Sequence, residues 1–195
     1  RATAPLVSII DSYQIKSMFA SVFQDTNLTS YIQQNTSDPW TGTNFEGYVY
    51  MSPKQKGEFG ERFVSEYFKL SGSSVKRAKT STAGHDRVID EILTEIKFSL
   101  ATRDKKGGIK ADSFIINHVS RDKDWERLVF FGINSDESQA RLFFFTKADF
   151  LAHLESDSCL FAHQQGGKSI ENDDYICTKV AQLIEQDWVQ PITAW

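Results

Sequence analysis

The period of apolar and polar positions changes several times along the chain. From Pro5 to Phe23, Leu6, Ile9, Ile10, Tyr13, Ile15, Phe19 and Phe23 recur at roughly helical spacing. The Asn-, Thr-, Ser- and Gly-rich stretch from Asn35 to Tyr50 reads as a connection. Residues 1–50 are therefore expected to form an N-terminal helical and loop-rich extension, with residues 51–195 as the main domain. KGEFGERFVSEYFKL, from Lys56 to Leu70, places Phe59, Phe63, Tyr67 and Leu70 on one stripe that Val64 and Phe68 widen. This predicts a helix stopped by Ser71-Gly72. The pattern then shortens to strands: Ser74–Lys79, DRVID at Asp86–Asp90, and, after a turn at Asp90-Glu91, ILTEIKFSL at Ile92–Leu100. Thr102–Lys110 reads as a basic loop and Ala111–Ser120 as a second helix. RLVFFGI at 127–133 and ARLFFFT at 140–146 are apolar at nearly every position, as strands buried on both faces would be. Asn134–Gln139 is their turn, and Lys147–Leu154 reads as a short helix. The order predicts an α/β fold with a central mixed β-sheet flanked by helices.

Composition supports a folded domain and narrows its setting. The 195 residues are 40% hydrophobic and 13% aromatic, with 15 phenylalanines, which excludes a disordered chain. No apolar run approaches the ~18 residues of a membrane span, and the opening residues show no signal-peptide pattern. Cys159 and Cys177 lack a CxxC context or a nearby histidine pair, which argues against a disulfide framework and a structural zinc site. A reducing cytoplasm is the expected location. The formal net charge of −4 disfavours a nucleic-acid partner until its distribution is considered. Between Met51 and Trp125 there are 15 Lys/Arg against 11 Asp/Glu, leaving 7 against 15 elsewhere. A basic middle between acidic flanks is compatible with DNA binding.

The chemistry concentrates in GHDRVIDEILTEIK, from Gly84 to Lys97. Alternation along the third strand puts Ile96, Phe98 and Leu100 on the core face, and Glu95, Lys97 and Ser99 on the other. A hairpin through Asp90-Glu91 brings Asp86 beside Glu95, with Lys97 projecting to the same side. Two converging carboxylates suit a hard divalent cation such as Mg²⁺, which takes one or two of them beside phosphate and water. Such an ion polarises a phosphate and lowers the pKa of a bound water, and a neighbouring lysine can position that water or neutralise developing charge. A solvated polar face would carry the same E-x-K. Against that, apolar neighbours fix the strand's register, Gly84 permits a tight approach, and Glu61 on the preceding helix borders its buried face within reach of the site. Asp90 is the rival for the first carboxylate, although the turn holds it. His85 reads either as a base or phosphate contact, or as a polar neighbour of the turn.

These residues, with GEFGERF on the helix before them, resemble the PD-(D/E)XK nuclease superfamily over roughly Lys54 to Lys147. Restriction endonucleases, junction resolvases and repair nucleases belong to it. The resemblance implies a restriction-endonuclease-like core, metal ligation by Asp86, Glu95 and the Ile96 carbonyl, Lys97 as catalytic lysine, and Glu61 as the helix carboxylate. It implies Mg²⁺, with Mn²⁺ as a substitute. His85 stands where the family's loosely held proline would be. By the same analogy Asn117 lies near the active face; a helix-surface amide is the alternative.

Lys76, Arg77 and Lys79 before the hairpin, and Arg103, Lys105, Lys106 and Lys110 after it, are candidate phosphate contacts, since phosphates dominate nucleic-acid affinity. His163–Ser169 is either a base-reading loop or a plain one. Trp125 anchors a helix–strand junction, and the aromatics at 130–131 and 143–145 belong to the core. The expected activity is Mg²⁺-dependent hydrolysis of DNA phosphodiesters by a type II restriction endonuclease, acting as a homodimer by analogy. The alternatives are a junction or repair nuclease of the same fold, or a DNA-binding module without catalysis.

Overall fold

The computed structural model describes residues 10–24, 26–80, 82–101, 110–134, 139–164 and 174–192. The chain divides into two compact units, Arg1–Asp38 and Pro39–Trp195. The first contains helices α1 (Ser12–Phe23) and α2 (Leu28–Asn35), capped by Asp11 and Asn27. The boundary falls before the sequence boundary at residue 50, because Trp40 and Phe45 are buried in the second unit's core.

In the second unit, a 3₁₀ turn at Tyr48–Tyr50 precedes α3 (Pro53–Leu70). Ser52 opens α3 with a reciprocal capping box to Gln55, and Pro53 occupies its first turn. Strands β1 (Val75–Arg77), β2 (Arg87–Ile89), β3 (Ile92–Leu100), β4 (Ile116–Ser120), β5 (Arg127–Ile133) and β6 (Ala140–Thr146) follow. After them come α4 (Lys147–Leu154), β7 (Ala162–His163), β8 (Asp174–Cys177), α5 (Val180–Ile184) and β9 (Gln190–Pro191). The main sheet runs β1-β2-β3-β5-β6-β9; β3 and β5 are parallel and the other neighbours antiparallel. A second sheet, β4-β8-β7, is antiparallel. The fold is α/β, with a central mixed sheet flanked by helices.

Strand alternation separates two cores. Ile96 and Leu100 of β3, and Val129, Phe131 and Ile133 of β5, pack with Val64 and Phe68 of α3. Leu128 and Phe130 of β5, and Phe143 and Phe145 of β6, face the opposite way, toward Phe150, Leu183 and the second sheet. β5 is therefore buried on both faces, and β6 is buried on one and half-buried on the other, through Leu142 and Phe144. On α3 the buried line is Gly60, Val64, Ser65 and Phe68, flanked by partly buried Phe59, Phe63 and Tyr67, while Leu70 in the last turn is exposed.

The segment read as a helix over 111–120 contains β4 instead. A register shift between Ile116 and Val119, with His118 at φ +52°, marks a bulge. The extra residue places the buried side chains Ile116 and Val119 three apart, which imitates a helical stripe in the sequence. Residues 102–109, 135–138 and 165–169 lie outside the described residues, and with them the candidate phosphate contacts Arg103, Lys105 and Lys106. No helix among the described residues is long and apolar enough to cross a membrane. Cys159 and Cys177 are free.

Candidate active site

The turn that builds the site is Asp90-Glu91, with φ of +50° and +67°. Positive φ at both central residues is the geometry of a two-residue hairpin loop whose twist matches the strands. Ile89 pairs with Ile92, Val88 with Leu93 and Arg87 with Thr94, after which regular pairing stops. Beyond that point Asp86 follows the edge of β3: its N–H donates to the Thr94 carbonyl at 3.1 Å, and its Oδ2 accepts from the Ile96 N–H at 2.7 Å. Asp90 instead accepts from Ser74 N–H at the far end of the hairpin, which removes it as the rival carboxylate. Peptide groups alternate sides along a strand, so the Ile96 carbonyl points to the same open edge as its N–H.

Glu95 and Lys97 leave the face of β3 opposite Ile96, as the alternation predicts. Lys97 Nζ meets Glu95 Oε1 at 2.8 Å. Glu95 is only 4% exposed. Burial raises its carboxyl pKa, the Lys97 charge opposes the shift, and Asp86 adds to it. Asp86 is likewise raised, first by burial, with the Ile96 hydrogen bond opposing and Glu61 adding. Glu61 is raised by burial against the pull of Arg87. Three carboxylates thus lie close enough to disfavour one another's ionisation. Arg87 fastens Glu61: its Nη1 donates to Glu61 Oε2 at 3.1 Å and to the Asp86 carbonyl at 2.8 Å, and its Nε to Ser65 Oγ at 3.0 Å.

A cavity of about 480 Å³ runs along the unpaired edge of β3. Glu61, Lys56 and Tyr48 line it on one side, Asn117 and His118 on another, and Asp86, Ile96 and Lys97 lie on its floor. Glu95 is not in its wall. Asn117 therefore does lie at the cavity, on a bulged strand rather than a helix.

The donor set suits a hard cation. Asp86 Oδ1 and Glu95 Oε2 carry no hydrogen bond among the described residues, and the Ile96 carbonyl supplies a third oxygen. Burial first, and the neighbouring carboxylate after it, raise the pKa of Asp86 and of Glu95, and a divalent ion bound there would favour their charged forms. Among the described residues no three His, Cys, Asp or Glu side chains group to hold an ion by themselves, so an ion here would need a backbone oxygen, substrate or water to complete its shell, as Mg²⁺ sites usually do.

No protein-family model matches the chain, and no curated protein matches it. A solved structure of a bacterial homing endonuclease, I-Ssp6803I, aligns over 69% of this chain and 93% of its own at 16% identity, with a TM-score of 0.39.

The remaining candidates separate. His85 Nδ1 lies 3.0 Å from Asp124 Oδ1 and does not line the cavity, so it ties the chain before β2 to the segment ahead of β5. Gly84 is where the close approach occurs: a Cβ there would stand 2.5 Å from the Asp124 backbone nitrogen. Lys76 pairs with Glu91 at 2.5 Å, whereas Arg77 lies on the opposite face of β1, toward α3. Lys79 and Lys110 are exposed and do not line the cavity. Trp125 is buried, its Nε1 donating to the Ser120 carbonyl at 2.8 Å. Sequence reasoning missed Arg87, Lys56, Tyr48 and His118. Lys56 lies 5.1 Å over the Tyr48 ring. His118 is gripped by Asp174 at 3.3 Å and Gln164 at 3.2 Å. Only Arg87, adjacent to Asp86 in the motif, carried a local signal.

Proposed function

We propose that this chain is a Mg²⁺-dependent endodeoxyribonuclease of the PD-(D/E)XK type, cutting duplex DNA as a restriction endonuclease does and working as a homodimer. The observation that carries the reading is the convergence of Asp86, Glu95 and Lys97 at the open edge of β3, with Asp86 held on the Ile96 N–H. Asp86, Glu95 and the Ile96 carbonyl would hold the cation. When bound, it supplies Lewis-acid stabilisation of the scissile phosphate and a water of lowered pKa. Lys97, fixed by Glu95, positions the attacking water and offsets charge that builds on the phosphate. Glu61, fixed by Arg87, orients water at the cavity's α3 wall.

The test compares the parent with Lys97→Ala and Asp86→Ala on long duplex DNA, in Mg²⁺ and in EDTA. Discrete fragments from the parent alone, and only with Mg²⁺, are expected. Cleavage confined to branched substrates would move the reading to a junction or repair nuclease. DNA binding without cleavage under any cation would leave a binding module.

A further inference from the structure

We propose that the chain carries a phosphate-binding subsite on the α3 face of the β1–β2 hairpin, separate from the cavity and taking a phosphate of the nucleic-acid strand. The proposal rests on the nuclease reading only for the source of that phosphate. A polar recess of about 280 Å³ is lined by Arg62, Ser65, Glu66, Lys69, Arg77 and Arg87. Four cations surround one carboxylate there, and Lys69 already holds that carboxylate at 2.7 Å. Arg62 and Arg77 make no ion pair with a described residue.

The strand register explains why these charges meet. Arg77 and Arg87 are directly opposite in the antiparallel β1–β2 pair, as are Val75 and Ile89. All four side chains therefore leave the same face, and Val75 and Ile89 pack in the core with Val64 and Phe68 of α3. Like charges directly opposite one another destabilise a strand pair, and an anion between them reverses that cost.

Arg87 supplies the second observation. Its side chain is only 12% exposed, and its Nε and Nη1 are committed to Ser65, Glu61 and the Asp86 carbonyl. Nη2 has no partner among the described residues, yet no polar side-chain atom of the described residues is both fully buried and unsatisfied. Arg87 lines the recess, and Nη2 is the corner of its guanidinium that no described residue occupies. A largely buried guanidinium with one open corner, beside two uncommitted arginines, matches a tetrahedral oxyanion. The same guanidinium holds Glu61, so a phosphate here is coupled through one side chain to the cavity wall.

The test uses the full chain and an Arg62→Gln/Arg77→Gln variant; both residues are exposed, and the change leaves Arg87 and Glu61 in place. Thermal unfolding is followed in inorganic phosphate and in chloride at matched ionic strength. Binding of short fluorescent DNA bearing a 5′-phosphate or a 5′-hydroxyl is followed by anisotropy in EDTA across a salt series. Phosphate should raise the melting temperature of the parent but not of the variant. The variant should bind DNA about tenfold more weakly, with a log–log salt slope smaller by about one. A parent preference for the 5′-phosphate that the variant loses assigns the subsite to a strand end; equal affinities, both lowered in the variant, assign it to an internal diester. Failure of the nuclease reading would appear separately, as no Mg²⁺-dependent cleavage by a parent that still responds to phosphate. An identical phosphate response and salt slope in parent and variant overturns the subsite. A response confined to the free anion, with DNA binding unchanged, overturns its assignment to nucleic acid.

Discussion

Gly60 and Gly57 lie three residues apart on α3, and replacing each with alanine should move stability in opposite directions. Alanine in a helix interior is favoured over glycine by about 0.8–1.0 kcal/mol. At Gly57 nothing lies within 4 Å of a Cβ, so that gain should appear nearly in full. At Gly60 the new Cβ would stand 2.5 Å from Phe98 Cβ and 3.1 Å from Phe98 Cγ. Ordinary carbon contacts are about 3.5–4.0 Å, so helix and strand must separate by about 1 Å. Phe98 cannot turn aside, because its Cβ is fixed to the β3 backbone and its ring is packed against Phe59, Phe63 and Phe131. Overpacking of this kind costs about 1–3 kcal/mol, so the upper half of that range outweighs the helix gain and leaves a net loss of about 1–2 kcal/mol. For a chain of this size, each kcal/mol shifts the melting temperature by about 2–4 °C. Thermal unfolding of the two variants beside the parent gives the comparison. Gly60→Ala should melt lower and Gly57→Ala higher, and Gly60→Ala alone should also slow cleavage, because the next residue is Glu61. A stabilised Gly60→Ala would refute the claim that this contact sets the spacing between α3 and β3.

Two further outcomes follow from the charged groups. Burial raises the Asp86 carboxyl pKa above its unfolded value, so its protonated form is favoured by folding. Its contribution is fully present below the unfolded pKa and is lost as pH rises from there through the raised folded value. Asp86→Asn should therefore raise the denaturation midpoint at neutral pH, erase part of that decline, and abolish both cleavage and any Mg²⁺-induced stabilisation; an unchanged pH–stability profile would count against the buried-charge argument. Arg87→Met should cost about 2–4 kcal/mol in urea unfolding, since it removes hydrogen bonds to a carboxylate, a hydroxyl and a carbonyl together. A loss under 1 kcal/mol would mean that Glu61 is held by something else.

The sequence carried the parts of the fold whose periodicity is uninterrupted. β3 was readable from its alternation and β5 and β6 from their apolar runs, while α3 was readable from its stripe and stop signal. The hairpin that carries Asp86 was also legible, because its two-residue turn leaves only one register in which Ile89 meets Ile92. β4 was not, since a bulge at His118 changes a two-residue period into a three-residue one. Arg87 stood in view beside Asp86, but its partnership with α3 was hidden for another reason. Its partners Ser65 and Glu61 lie 22 and 26 residues away on a helix, and no local pattern records how a helix face is rotated over a hairpin. The cavity's far wall, with Asn117 and His118, depends on that same bulge. The short elements β7, α5 and β9 hold too few residues for a period to be visible.

The site lies where sheet pairing ends, and one residue determines where that is. β2 pairs with β3 only as far as Thr94, so among the described residues the edge of β3 from Ile96 onward is open, and an open edge presents unpaired peptide groups. Asp86 covers the first of them with its side chain instead of continuing the ladder. It can do so because the chain before it passes tightly against the segment ahead of β5: at Gly84 a Cβ would stand 2.5 Å from the Asp124 nitrogen and 2.9 Å from Lys123 Cβ. Backbone atoms cannot yield as a flexible side chain does, so Gly84→Ala must displace His85 and Asp86. The bond from Ile96 N–H to Asp86 Oδ2 should lengthen or break, while the cores, which involve neither residue, remain packed. The expected variant is folded, with the parent's far-ultraviolet circular dichroism, but without cleavage and without the Mg²⁺-induced rise in melting temperature. Retention of the Mg²⁺ response would show that the turn at Gly84 does not place Asp86, and that the carboxylate reaches the edge of β3 unaided.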